Sequence, residues 1–166
     1  MSFVKSFAPL AAPDATLLIL GSMPGEASLQ AGEYYAHPRN AFWPIMGQLF
    51  GFDPSVTYDE RVSCLMAARV AVWDVLASCH RVGSLDSEID DTSVSVNNFE
   101  SFFRQHPQIQ RVFFNGTKAE HSFRKWVIPT LPGLDLMLMR LPSTSPANAS
   151  FSLEKKRKAW EAIFQL

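Results

Sequence analysis

The chain has 166 residues, of which 47% are hydrophobic, and this size and composition predict one domain spanning residues 1–166. Lys and Arg together number 15 and Asp and Glu number 16, so the overall charge identifies neither a nucleic-acid nor a membrane partner. No apolar run approaches the length of a membrane span, and the N-terminus lacks a signal-peptide pattern, so we expect a cytoplasmic protein without membrane contact.

Hydrophobic patterning predicts four strands, at residues 15–20, 70–73, 111–114 and 136–141. Helices are predicted between and after them, with Asn40, Thr57, Asn97 and Thr117 as their N-terminal caps. Residues 1–14 form a lead-in to the first strand. Strands that alternate with helices predict a three-layer α/β/α sandwich around a four-stranded, mostly parallel sheet.

Two further segments have clear patterns. Residues 78–96 are rich in Ser, Asp, Glu and Gly, which predicts a long surface loop. The last helix is predicted over residues 152–164, with Trp160, Ile163 and Phe164 inward and residues 155–158 toward solvent.

The sequence also bears on cofactors. Cys64 and Cys79 are the only cysteines, and their spacing fits neither a zinc site nor an iron–sulfur cluster, so we interpret both as buried small hydrophobes. The phosphate-loop, dinucleotide-binding, serine-elbow, zinc-protease and deaminase motifs are all missing from the sequence. We therefore expect no metal and no cofactor.

The loops after the first, third and fourth predicted strands should meet at one edge of the sheet, because each follows the carboxyl end of a parallel strand. Ligands of parallel sheets bind at that edge. These loops are residues 21–40, 115–116 and 142–150. The first contains glycines, two tyrosines and an asparagine, and the last contains small hydroxyl residues between prolines that suit a phosphate. Taken alone, the last loop is more typical of an ordinary lead-in to a helix.

Three segments carry a resemblance to a known family. They are Gly21-Ser22-Met23-Pro24-Gly25, Tyr35-Ala36-His37-Pro38-Arg39-Asn40-Ala41-Phe42-Trp43 and Leu141-Pro142-Ser143-Thr144-Ser145. Together they resemble the signature segments of the uracil-DNA glycosylase superfamily, and most closely its hypoxanthine-DNA (deoxyinosine) glycosylases. The resemblance covers nearly the whole chain and implies a monofunctional, monomeric enzyme that excises a flipped-out, deaminated base from double-stranded DNA.

The resemblance implies roles for individual residues. Asn40 takes the catalytic, water-positioning place, and Tyr35 the place of the aromatic ring that stacks on the base. Asn115 takes the base-recognition place, and Gly21, Ser22 and Met23 belong to the loop that holds the base. The segment expected to hold the DNA backbone or to wedge into the duplex contains Ser143, Thr144, Ser145, Pro146 and Asn148.

Two positions depart from related families. Met23 stands where the mismatch-specific uracil enzymes have a water-holding asparagine, and Leu141 replaces the His or Asn that opens the last motif. We therefore expect excision of hypoxanthine above uracil, with guanine and adenine untouched, and a loss of activity when Asn115 is replaced by Ala.

Other interpretations remain open. Asn40 also fits a helix cap, Asn115 a turn residue, and one of Tyr34 and Tyr35 a packing residue, while His37 has no assigned role. At the level of the whole chain, the alternatives are a G:U/T mismatch-specific uracil-DNA glycosylase and a non-catalytic module that binds nucleotides or DNA lesions.

Overall fold

A computed structural model describes residues 2–165, so Met1 and Leu166 lie outside the described residues. In chain order the strands are β1 (Ser2–Lys5), β2 (Leu17–Gly21), β3 (Val70–Asp74), β4 (Leu76–Arg81), β5 (Ile89–Val96), β6 (Arg111–Asn115) and β7 (Met137–Leu141). The helices are α1 (Glu26–Ala31), α2 (Phe42–Phe50), α3 (Tyr58–Ala67), α4 (Phe99–Gln105), α5 (Thr117–Ser122) and α6 (Leu153–Trp160). A π-helical turn, Phe123–Val127, continues α5, and a 3-10 turn, Glu161–Phe164, continues α6.

The four predicted strands form one parallel sheet in the order β3-β2-β6-β7, which confirms the expected fold class. Every residue of β2 is buried because helices cover both faces of the sheet. Leu18 and Leu20 share a core cluster with residues of α4 and α5, whereas Leu17 and Ile19 share one with residues of α2, α3 and α6. The strand period of two thus divides one apolar run between two cores.

The predicted surface loop at residues 78–96 is wrong. β4 and β5 pair there as an antiparallel hairpin, and β1 from the lead-in joins β4 to complete a second, three-stranded sheet. Val94 and Val96 pack against the core while their neighbours face outward, so the apolar signal in β5 is short and one-sided. Ser2 pairs with Arg81, which lies near the middle of the chain. A local sequence pattern does not predict a contact between residues so far apart.

Most predicted helices are present, but three of the four predicted caps differ, and the first of these is at α2, where Ala41 and not Asn40 is the cap residue. Thr57 accepts a hydrogen bond from the Glu60 N–H as expected. Asn98, and not Asn97, caps α4 by accepting from the Ser101 N–H. Gly116, and not Thr117, precedes α5, and its positive φ of 94° gives the chain the turn out of β6 that a side chain would strain.

The last helix was predicted correctly in position but only partly in orientation. Trp160 and Ile163 are buried, whereas the Phe164 side chain is exposed. Lys156 is buried as well, although the sequence predicted a solvated face at residues 155–158. Both differences follow from the chain outside the helix, because the segment before α6 folds over Lys156 and the 3-10 turn rotates Phe164 away from the core.

The carboxyl ends of the parallel strands lie side by side. Gly21 of β2 is in register with Asp74 of β3, and Asn115 of β6 with Leu141 of β7. The loops that follow these strands therefore start from one edge of the sheet, as the parallel topology requires. Among residues 2–165, no helix combines the length and apolar composition needed to cross a bilayer.

Candidate functional site

A cavity of about 730 Å³ lies at this edge of the sheet. All the residues that the sequence predicted for the site line it: Gly21, Ser22, Met23, Tyr35, Asn40, Asn115, Ser143, Thr144, Ser145, Pro146 and Asn148. The predicted meeting of the three loops is therefore confirmed, while the role of each residue stays a prediction. Within the described part of the chain, no group of three His, Cys, Asp or Glu side chains could hold a metal ion.

Asp74 is the site residue that the sequence reasoning missed. It ends β3, lines the cavity and is only 4% exposed, and its Oδ2 atom has no hydrogen-bond partner. Burial, reinforced by the nearby Asp86 and opposed by Arg81, raises the pKa of this carboxyl to about 7. The available signal was an acidic residue directly after a buried strand, at the edge where parallel sheets bind ligands.

Tyr35 lies next to Asp74 in an uncommon backbone conformation. Its φ is +55°, in the left-handed region, and its ring stacks on Phe42 with centroids 4.0 Å apart and planes 21° from parallel. The phenol hydroxyl is buried without a hydrogen-bond partner. Burial first, and the nearby Asp74 second, raise the pKa of Tyr35 above its ordinary value, so the phenol keeps its proton. Strained backbone of this kind concentrates at functional sites.

Gly21 leaves room for both polar groups. A Cβ atom built on Gly21 would lie 2.5 Å from Asp74 Oδ1 and 2.9 Å from the Tyr35 hydroxyl oxygen. The carboxyl and the phenol therefore converge over a residue without a side chain. Tyr34, in contrast, is a packing residue, because its ring is buried and its hydroxyl donates to the Ala8 carbonyl at 2.8 Å.

Asn40 combines the two roles considered from the sequence. Its Oδ1 atom accepts from the Phe42 N–H at 2.9 Å at the start of α2, although Ala41 is the residue in the cap position itself. This bond orients the amide, and the half-buried side chain also lines the cavity. The turn before it is closed by the Asn40 N–H, which donates to the His37 carbonyl, and His37 Nδ1 accepts from the Arg39 N–H.

The Asn115 amide is engaged at both ends by Thr144. Asn115 Nδ2 donates to Thr144 Oγ1, and the Thr144 N–H donates to Asn115 Oδ1, each at 2.9 Å. Thr144 is fully buried, and its carbonyl accepts from the Ala41 N–H. Asn115 thus ties the last loop to β6 and, through Thr144, to the turn that carries Asn40. One amide hydrogen and one lone pair of Asn115 are not used by Thr144, and the amide lies close enough to the Tyr35 hydroxyl to oppose the rise that burial causes in the pKa of Tyr35.

Comparison with known proteins agrees with this geometry. The family model of the uracil DNA glycosylase superfamily matches residues 8–164. The chain belongs to the uracil DNA glycosylase superfamily. This membership confirms the predicted family and the enzyme class, a DNA glycosylase whose substrate is DNA.

Two relatives named hypoxanthine DNA glycosylase, from Methanosarcina acetivorans and Methanosarcina barkeri, are each 32% identical to the chain over 163 residues. Each alignment covers 97% of this chain and 98% of the relative. A solution NMR structure of a Methanosarcina acetivorans protein, proposed to be a uracil DNA glycosylase, superposes with a TM-score of 0.83 at 32% identity. That superposition covers 99% of this chain and 98% of the other.

In this glycosylase, α6 anchors the loop formed by residues 142–148. Trp160 Nε1 donates to the Pro142 carbonyl at 2.9 Å, and Lys156 Nζ donates to the Ser145 carbonyl at 3.2 Å. Inside the loop, Asn148 Nδ2 donates to the Ser143 carbonyl at 3.1 Å. Hydrogen bonds within the loop, from α6 and with Asn115 therefore hold the loop in a defined shape before DNA is bound.

The turn between β4 and β5 provides a wall of the glycosylase cavity that the sequence did not predict. Asp86 in this turn accepts from the Ser22 hydroxyl, and Ser84 Oγ accepts from the Glu26 N–H at 2.9 Å. Arg81, only 1% exposed, donates to the Pro24 carbonyl and to the Gly83 carbonyl. One guanidinium therefore holds the first loop and the wall together.

Proposed function

We propose that the chain is a monofunctional DNA glycosylase that hydrolyses the N-glycosidic bond of hypoxanthine, flipped out of duplex DNA, at the start of base excision repair. The 32% identity to relatives named hypoxanthine DNA glycosylase over almost the whole chain supports this substrate. The observation that carries the proposal is the pair of buried, unpartnered polar atoms, Asp74 Oδ2 and the Tyr35 hydroxyl, whose carboxyl and phenol groups converge over Gly21 in the cavity. Buried polar atoms without partners are rare, and a ligand bound in the cavity would satisfy both of these.

In this proposal, Asp74 and Tyr35 face the edge of the base. With a pKa of about 7, Asp74 is substantially protonated near neutral pH, and a carboxylic acid presents one donor beside one acceptor. Hypoxanthine presents the complementary O6 acceptor and N1–H donor. The Tyr35 hydroxyl adds a donor close to Asp74, and hydrogen bonds of this kind stabilise the negative charge that develops on the departing base.

Asn40 has the role of holding the attacking water. Its Oδ1 is oriented by the Phe42 N–H and keeps a second lone pair, while its NH₂ group makes no hydrogen bond to residues 2–165. Water held there adds to C1′ of the sugar as the electrons of the C1′–N9 bond leave with the base, and the proton that the water loses neutralises the departing base. The transition state resembles an oxocarbenium ion and needs no covalent nucleophile.

In this proposal, Asn115 lies beside the base. Asn115 also holds Thr144 through two hydrogen bonds. Ser143, Thr144, Ser145, Pro146 and Asn148 hold the DNA backbone or fill the space that the flipped base vacates. The enzyme acts as a monomer on double-stranded DNA that contains a deaminated base. We expect hypoxanthine to be preferred over uracil, which offers the same acceptor and donor from a smaller ring.

The test is excision from a labelled duplex with a single deoxyinosine. The duplex is incubated with the protein in excess EDTA and without nucleotide, and is then heated in alkali, which breaks the strand only at an abasic site. We expect cleavage at the deoxyinosine position and much less in Asn40→Ala. Binding of the duplex without any alkali-sensitive site would contradict catalysis and favour the non-catalytic lesion binder.

The second candidate function is mismatch-specific removal of uracil, and superfamily membership is the observation that favours it. A parallel duplex with a G·U pair distinguishes the two enzymes under single-turnover conditions. Faster excision of uracil from G·U than of hypoxanthine from any pair would replace the proposed substrate with uracil.

A further inference from the structure

Lys156 is a buried lysine behind the loop of residues 142–148. The residue is only 5% exposed, and its Nζ donates to the Ser145 carbonyl at 3.2 Å. Among residues 2–165, no carboxylate lies within 4 Å of this ammonium. Burial lowers the pKa of Lys156 from its ordinary value. The charge is therefore poorly compensated in the free protein.

A buried ammonium with a single carbonyl partner is costly, since a charge removed from water needs an opposite charge or several hydrogen bonds. The other basic residues of α6 avoid this cost. Lys155 and Lys158 are exposed, and Arg157 pairs with Glu154 and Glu161. Lys156 is thus the one cation of α6, among the described residues, that is directed at the loop.

The loop lacks positive charge of its own, because residues 142–148 contain only Pro, Ser, Thr, Ala and Asn. The cavity is also lined by the carboxyl groups of Asp74 and Asp86, which repel phosphate when ionised, and the cavity's Arg140 lies 3.7 Å from the Glu120 carboxylate. The protein as a whole has a net charge of −1. Attraction of a DNA phosphate to this loop therefore depends on a local cation, and phosphate neutralisation is the main electrostatic source of affinity for DNA.

We propose that Lys156, acting through the loop of residues 142–148, supplies the positive charge that holds one DNA phosphate against that loop. The inference rests on the proposed function only in taking lesion-containing DNA as the ligand. Lys156 is a positioning residue, because the Ser145 carbonyl that it contacts belongs to the loop and the phosphate lies on the loop's other side. The bound phosphate completes the charge balance that the free protein lacks.

The experiment measures how binding depends on salt. The probe is a fluorescent duplex that contains a tetrahydrofuran abasic analogue, which cannot be excised, and affinity is measured by anisotropy across roughly 50 to 200 mM KCl. In Lys156→Met, the slope of log affinity against log salt should become less steep by about 0.9, the value for one phosphate contact. As salt rises over this range, the affinity of the wild type should therefore fall by a factor roughly threefold larger than that for the variant.

Three variants serve as controls. Lys156→Arg should restore the wild-type slope because it keeps the charge. Lys155→Met and Lys158→Met change exposed lysines of the same helix and should leave the slope unchanged. Thermal unfolding checks that each variant is folded, and Lys156→Gln, which keeps a donor for the Ser145 carbonyl, provides a second neutral variant.

A uniform loss of affinity with an unchanged salt slope in both neutral variants would overturn the proposal, since Lys156 would then only hold the loop in shape. Unchanged affinity and slope would overturn it equally. Binding to the abasic analogue requires no excision, so a reduced slope in a protein that fails to excise deoxyinosine would overturn the proposed function alone.

Discussion

Replacing Asp74 with Asn should make the protein relatively more stable at high pH. Asp74 is buried with an unpartnered Oδ2, and its pKa rises from the ordinary 3.8 to about 7 in the folded protein. A carboxyl whose pKa is raised by folding favours the folded state at low pH, where it is protonated. This contribution is lost as pH rises from the unfolded-state pKa to the folded-state pKa. The substituted amide cannot ionise, so the Asp74→Asn variant avoids the loss.

The magnitude follows from these two pKa values. Between about pH 5 and about pH 8, ionisation of Asp74 should reduce the free energy of unfolding by about 2 to 3 kcal/mol. For a chain of this size, each kcal/mol corresponds to roughly 2 to 4 °C in Tm, so the Tm difference between variant and wild type should grow by roughly 5 to 10 °C over this range. Any fixed cost of the buried amide is the same at both pH values and cancels.

The assay is thermal unfolding of both proteins at the two pH values. Asp135→Asn is a matched control, because it replaces an exposed carboxyl outside the site, in the segment before β7. A Tm difference for Asp74→Asn that stays constant from low to high pH would show that Asp74 is ionised in the folded protein throughout. That result would refute the protonated carboxyl as the group that meets hypoxanthine.

Substitutions at four further positions test the site. Asn40→Ala should reduce the single-turnover excision rate by about 10²- to 10³-fold while duplex binding survives, and a rate within a few fold of wild type would leave Asn40 only its contact with α2. Tyr35→Phe should lower the excision rate by roughly 10²-fold because it removes the hydroxyl that meets the base, and Tyr35→Ala should lower it further because the ring that packs on Phe42 is lost as well; a wild-type rate in Tyr35→Phe would show that the hydroxyl does not contact the base. Gly21→Ala places a methyl group 2.5 Å from Asp74 Oδ1, so excision should be largely lost; near-normal activity would mean that the base lies elsewhere. Asn115→Ala should lower excision of hypoxanthine and uracil alike, because both bases present the same acceptor and donor and both depend on the loop held through Thr144; near-normal excision of both would show that the site does not need Asn115.

The parallel sheet and the position of the site were predictable from the sequence. The strands β2, β3 and β6 are buried on both faces, so each is an almost continuous apolar run. Such a run is recognisable in the sequence whichever helices cover the strand. Once the strands are parallel, their carboxyl ends lie together, and this brings Gly21 and Asn115 to one edge without further information. The resemblance to the glycosylase superfamily then depended on short local segments, which a sequence displays directly.

Only the tertiary structure decided which polar groups face the cavity and which hold the protein together. Asp74 is an ordinary strand end in the sequence, and it becomes a raised-pKa carboxyl because the loop at Gly21 and the turn with Asp86 enclose it. Lys156 belongs to a basic run, and it is buried because a loop before the helix folds back over it. Hydrogen-bond partners and desolvation are set by residues far apart in the chain, so local sequence patterns do not carry them.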